Sequence, residues 1–174
     1  MEEQVVIVNE RDEPVGTMGK LRAHQVGALH RAFSVFLFDE QGRLLLQRRA
    51  PGKYHSAGLW TNTCCSHPRP GESILDAARR RLSEEMGIRA ELTERFSFIY
   101  RAHFPNGLQE HEFDHVLFGT YSGQADPDPE EADAWRYIDP ESLEAELAAR
   151  PERFSAWLRE CWGRVREELR RKAA

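Results

Sequence analysis

The chain has 174 residues, 40% of them hydrophobic and 30% charged, with a net charge of −5 at pH 7. That length suits one domain with a substantial core, so residues 1–174 are read as a single unit. The acidic balance argues against a nucleic-acid partner, no apolar run approaches the roughly 20 residues of a membrane span, and no stretch resembles a secretory leader. Cys64, Cys65 and Cys161 cannot make a disulfide framework, so a reducing cytoplasm is expected. A monomer and a homodimer are both compatible with this composition.

In chain order, "QVVIVN" (Gln4–Asn9) predicts a β-branched strand, and a turn begins at Asp12-Glu13-Pro14. "AFSVFLF" (Ala32–Phe38) and "RLLLQRR" (Arg43–Arg49) predict a hairpin joined through Asp39-Glu40-Gln41-Gly42. After Pro70–Ser73, Leu75, Ala78, Leu82 and Met86 recur at helical spacing, and Gly87 stands where that helix stops. Strands are expected within Ala90–Ala102 and Glu110–Tyr121, separated by Pro105-Asn106-Gly107. The acidic stretch Asp126–Glu146 reads as a solvated face split by the short strand "AWRYI". From Pro151 a long helix is expected, with Phe154, Trp157, Leu158, Cys161 and Val165 as its inner face. The class is mixed α/β.

"TNTCCSHPRPGES" (Thr61–Ser73) places two adjacent cysteines beside a histidine in a chain with one other cysteine. Metal ligation, acid-base chemistry and simple burial all remain open for that pair. On a strand Glu110 and Glu112 share a face, because side chains alternate. Alone, such a pair is more often a solvated sheet edge. With His24, His30 and His67 it becomes a candidate divalent-metal site, and imidazole with carboxylate suits Zn²⁺ or Mn²⁺ better than Ca²⁺.

"RRRLSEEMG" resembles the end of the Nudix box, G-x5-E-x7-R-E-U-x-E-E-x-G-U with U apolar. Glu72, Arg80, Leu82, Glu84, Glu85 and Gly87 fill its positions. Ser66 stands in place of the leading glycine and Arg81 in place of a glutamate. The lost carboxylate matters, because Nudix hydrolases gather several to hold Mg²⁺ ions that activate water. "AHQVGALHRAFSVFLF", "LLQRRAPGKYHSAGLWTNTCCSHP", "YRAHF", "EHEFDH" and "FSAWL" extend the match, and together they resemble the type 1 isopentenyl-diphosphate isomerases.

That resemblance implies a Nudix fold, a mixed sheet sandwiched between helices. It implies reversible conversion of isopentenyl to dimethylallyl diphosphate, by proton transfers on opposite faces of the allylic system through a tertiary carbocation. Cys65 matches the catalytic cysteine, which leaves Cys64 as a small buried neighbour. Glu112 and Tyr100 match the groups on the other face, and Trp157 the aromatic residue beside the cation. His24, His30, His67, Glu110 and Glu112 match the metal ligands. Glu85 matches the ligand of a diphosphate-bridging Mg²⁺, with Lys20, Arg49, Lys53 and Arg81 as diphosphate contacts. Trp60 could line the pocket or only pack. A divergent Nudix pyrophosphohydrolase would need a carboxylate at position 81 and no Cys65. A metal-binding interaction module would leave Arg49 and Lys53 unexplained, and a cysteine hydrolase lacks a free base.

Overall fold

The computed structural model describes residues 1–173. A nine-stranded mixed sheet is built from β1 (Gln4–Val8), β2 (Pro14–Gly19), β3 (His30–Phe38), β4 (Leu44–Arg49), β5 (Trp60–Thr61), β6 (Cys64–Ser66), β7 (Leu92–His103), β8 (Gln109–Thr120) and β9 (Ala132–Ile138). The helices are α1 (Lys20–Val26), α2 (Ile74–Met86), α3 (Pro140–Ala149) and α4 (Ala156–Ala173). Among the described residues no helix is long and apolar enough to cross a membrane.

Alternation along β3 separates two cores. Phe33, Val35 and Leu37 join Leu82 and Met86 of α2, whereas Phe36 joins Trp157, Leu158 and Val165 of α4. The sheet is therefore sandwiched between helices, as the sequence leads one to expect. Each fully buried Leu or Phe in these layers contributes about 1.5–3 kcal/mol relative to exposure. Ser73 starts α2 by accepting a hydrogen bond from the Asp76 backbone N–H, and Gly87 ends it at φ 65°, a left-handed position that favours glycine.

The sheet splits where the site forms. β3 and β4 pair only at Phe38↔Leu44; β6 then pairs with β3, and β5 with β4. Thr63, between β5 and β6, fills the fork. Its hydroxyl accepts from the Leu37 N–H at 3.0 Å and donates to the Leu45 carbonyl at 2.7 Å. On the far side, β8 pairs in parallel with β3 and antiparallel with β7.

Four expectations change. The C-terminal helix begins at Ala156; Pro151–Arg153 form a separate 3-10 turn and Phe154 is extended. The acidic stretch contains α3, started by Asp139 accepting from the Ser142 N–H with Pro140 in the first turn. Leu75 is 36% exposed, because Ile74 rather than Leu75 packs against the α2 core. The short elements β2, α1, β5 and β6 carry too few residues to show a period and were not anticipated.

Candidate active site

The pleat separates the two cysteines. Cys64 is fully buried in the α2 core with Leu82, while Cys65 is half-buried on the α4 side and lines a cavity. Burial, reinforced by the charge of Asp114, pushes the Cys65 thiol well above its ordinary value. Its sulfur lies 3.1 Å from Asn62 Oδ1 and 3.4 Å from Ser34 Oγ.

Strand β8 changes character along one face. Glu110, Glu112 and Asp114 point into the cavity, and Val116 and Phe118 continue into the core. Glu112 stands opposite His30 on β3 and opposite Tyr100 on β7. Its Oε2 lies 3.2 Å from His67 Nε2 and 4.0 Å from His30 Nε2. Burial raises the Glu112 carboxyl to about 7, and burial together with Glu112 raises that of Glu110 well above the usual range.

Three histidines converge from separate elements. His24 comes from α1, His30 from β3 and His67 from the segment just after β6, with one nitrogen of each lying within 4.8 Å of the others. The backbone sets two of the rings. His24 Nδ1 faces the Lys20 carbonyl at 2.7 Å and His30 Nδ1 the Ala28 carbonyl at 2.8 Å, aiming Nε2 of each inward. Among the described residues, those Nε2 atoms, both His67 nitrogens and Glu110 Oε1 are buried without a hydrogen-bond partner. Such a cluster of unsatisfied N and O atoms fits a divalent cation. Burial depresses His30 and His67 far below the ordinary value, which keeps them neutral and able to ligate.

A second group is cationic. Lys20, Arg49, Lys53 and Arg81 all line the same cavity. Arg81 contacts Glu85 at 2.7 Å, Glu84 at 2.8 Å and Glu131 at 3.2 Å, and Lys53 reaches Glu131 at 2.8 Å. Glu131 therefore pins two of the four cations, which corrects the reading of the acidic stretch as a wholly solvated face. Arg80 turns away and forms a two-pronged pair with Glu72 at 2.8 and 2.9 Å.

Trp157 is carried into the cavity by the start of α4. Ser155 N–H donates to the Trp60 carbonyl, and Ser155 Oγ, 2.7 Å from Thr61 Oγ1, accepts from the Leu158 N–H. The Arg49 guanidinium lies 5.1 Å from the Trp157 ring. Trp60 instead lies between Arg48 and Arg136, so it packs rather than lines the cavity. Every anticipated site residue reaches this one region. Two stand behind its wall: His30 beside the other histidines, and Tyr100, a buried hydroxyl without a partner, opposite Glu112.

Ser34, Asp114 and His55 were missed. Asp114 was recoverable, since alternation puts it on the Glu110–Glu112 face. Ser34 gave no signal inside an apolar strand. His55 stacks on Phe104 at 4.6 Å and meets the edge of Trp157 at 5.8 Å, and burial lowers it to about 3.

A family model described as the NUDIX domain matches residues 28–158. An isopentenyl-diphosphate Delta-isomerase 2 from Aromatoleum aromaticum is 58% identical over 165 residues, covering 95% of this chain and 87% of that one. The chain belongs to the isopentenyl-diphosphate Delta-isomerase family, within the Nudix fold. The isopentenyl-diphosphate Delta-isomerase 1 of the same organism is 55% identical with both chains covered in full, and that of Serratia proteamaculans is 54% identical over 90% of this chain and 88% of its own. Among solved structures, the Deinococcus radiodurans protein DR0079 superposes with a TM-score of 0.79 at 26% identity, covering 93% of this chain and 98% of that one.

Proposed function

We propose that this chain interconverts isopentenyl and dimethylallyl diphosphate as a single cytoplasmic domain, residues 1–174. The observation that carries the reading is the placement of Cys65 and Glu112. They come from β6 and β8, which pair with β3 from opposite sides, and face one cavity that four cationic side chains also line.

The cations Lys20, Arg49, Lys53 and Arg81 would bind the diphosphate. A phosphate group accepts charge-assisted hydrogen bonds most strongly from such donors, and the two arginines can offer two N–H groups each. The hydrocarbon end would then lie between Cys65 and Glu112, against the Trp157 ring. A proton added to the terminal methylene carbon leaves a tertiary cation on its neighbour. Removal of a proton from the next methylene carbon completes the shift, so atoms and charge balance with no water consumed. One group gives a proton and the other takes one, and the roles exchange in the reverse reaction. The raised Cys65 thiol holds a proton that a carbon can receive, and Glu112 as a carboxylate can take up the one that leaves. Tyr100 would steady Glu112 from behind. The aromatic face of Trp157 favours nearby positive charge by about 2 kcal/mol when desolvated.

His24, His30, His67, Glu110 and Glu112 would hold Zn²⁺ or Mn²⁺, and Glu85 a Mg²⁺ shared with the diphosphate. The first cation would fix Glu112 and offset the repulsion of the buried carboxylates; the second would neutralise phosphate charge. Water activation is disfavoured, since Arg81 replaces a carboxylate of the box and pairs with Glu85. Incubation of the metal-loaded protein with isopentenyl diphosphate, followed by phosphorus NMR, tests the reading. Dimethylallyl diphosphate with both phosphorus atoms retained supports it; release of inorganic phosphate or diphosphate would overturn it.

A further inference from the structure

Cys65 does not hold its position alone. Ser34 lies opposite it in the β3–β6 ladder, and the two side chains approach at 3.4 Å. Ser34 Oγ donates its proton to Asp114 Oδ2 at 2.8 Å, a bond enclosed in the protein interior. With that proton committed, only the lone pairs of the Ser34 oxygen face sulfur. Asn62 is oriented in the same sense. Its Nδ2 donates to the carbonyls of Val35 at 3.0 Å and Cys64 at 3.2 Å, so Oδ1 is the atom presented to Cys65. The thiol thus meets two acceptors whose own donors are used elsewhere.

The geometry points to Asp114, acting through Ser34, as a positioning residue that holds the Cys65 S–H in the cavity. The inference rests on the isomerase reading for its kinetic consequence. The chain of contacts ends at Asp114. Among the described residues the Asp114 side chain has no other hydrogen-bond partner, its Oδ1 being buried and unpaired. Without that acceptor, the Ser34 hydroxyl is free to turn its proton toward sulfur, and the sulfur loses one of the two atoms that locate it. A displaced reacting atom lowers the rate of the chemical step while leaving recognition of the distant diphosphate intact.

The variants are Ser34→Ala, Asp114→Ala and Asp114→Asn, compared with the native chain. The first two are expected to lower kcat by about tenfold or more with KM changed by less than about twofold. Asp114→Asn retains an oxygen that accepts from Ser34 and is expected to keep most of the native kcat. Should Asp114→Ala fail to fold, Ser34→Ala, which removes a single oxygen atom, carries the test alone. Independently of activity, the infrared S–H stretch of Cys65, isolated by subtracting the spectrum of Cys65→Ala, should move to higher frequency in Ser34→Ala. Native kcat in Ser34→Ala, a change confined to KM, or an unmoved S–H band would overturn the inference. So would Asp114→Asn as impaired as Asp114→Ala, which would assign the role to charge rather than to hydrogen bonding. If the native chain does not isomerise its substrate, the isomerase reading falls, and the S–H band still decides the positioning role.

Discussion

Neighbouring cysteines meet opposite surroundings because a strand turns successive side chains to opposite faces. Cys64 fills the α2 core and Cys65 faces the cavity. Cys65→Ala should therefore lower kcat by about 10²–10⁴-fold, the usual worth of a positioned acid-base group, with little loss of stability. Cys64→Ala should remain active within a few-fold and melt at lower temperature, because it opens a small void. Steady-state kinetics and thermal melts of the two variants separate these outcomes. A pH dependence follows from Glu112. Its carboxyl is raised to about 7 by burial, so protons compete with a cation below that pH. Since His30 and His67 are held neutral, cation affinity should rise as pH increases from 6 to 8, by about tenfold per proton displaced per pH unit below the pKa. Competition for Zn²⁺ with a chromophoric chelator measures this, and Glu112→Gln should reduce the slope, with Glu110, whose carboxyl burial also raises, supplying the remainder.

Elements set the position of these groups more than their own sequences reveal. The fork between β3 and β4 exists because Thr63 satisfies one backbone donor and one acceptor there. Thr63→Val keeps the shape and removes both bonds, leaving two buried backbone groups without partners. It should cost about 1–3 kcal/mol per group in chemical denaturation. Helix α2 offers a second test. Arg81→Glu restores the carboxylate pattern of the box but sets like charges beside Glu84, Glu85 and Glu131. It should raise KM for the diphosphate substrate at least about tenfold, since a cation proposed to bind the diphosphate becomes an anion. The long elements were legible. The apolar runs of β3 and β4, the 3.6-residue period of α2 and the Glu110–Glu112 alternation each predict what the structure contains. The two-residue β5 and three-residue β6 carry no period, so the device that aims Cys65 was invisible. Lys53 and Arg81 were recognisable from their match to the family, but their tie to Glu131 joins residues 78 and 50 positions apart and leaves no local signal.

At the scale of the whole molecule, one end of the sheet has exchanged hydrophobic burial for unsatisfied polar atoms. His24, His30, His67 and Glu110 converge from α1, β3, the segment following β6 and β8, respectively. A cation bound there joins parts of the chain that an unfolded state separates, so it should stabilise the native form. At a hundred times its dissociation constant the gain is about 2.7 kcal/mol. Melting temperature should rise with added Zn²⁺ or Mn²⁺ and fall after chelation; His67→Ala should abolish most of that response. In the proposed reaction a proton enters on one carbon and leaves from another, with the diphosphate untouched. This is tested most directly by running the reaction in D₂O and locating deuterium in the product by NMR. Deuterium is expected in a methyl group of dimethylallyl diphosphate, with both phosphorus atoms retained, and Cys65→Ala should slow product formation about 10²–10⁴-fold. Product formed without solvent deuterium, or cleavage of the diphosphate in place of isomerisation, would contradict the proposed reaction.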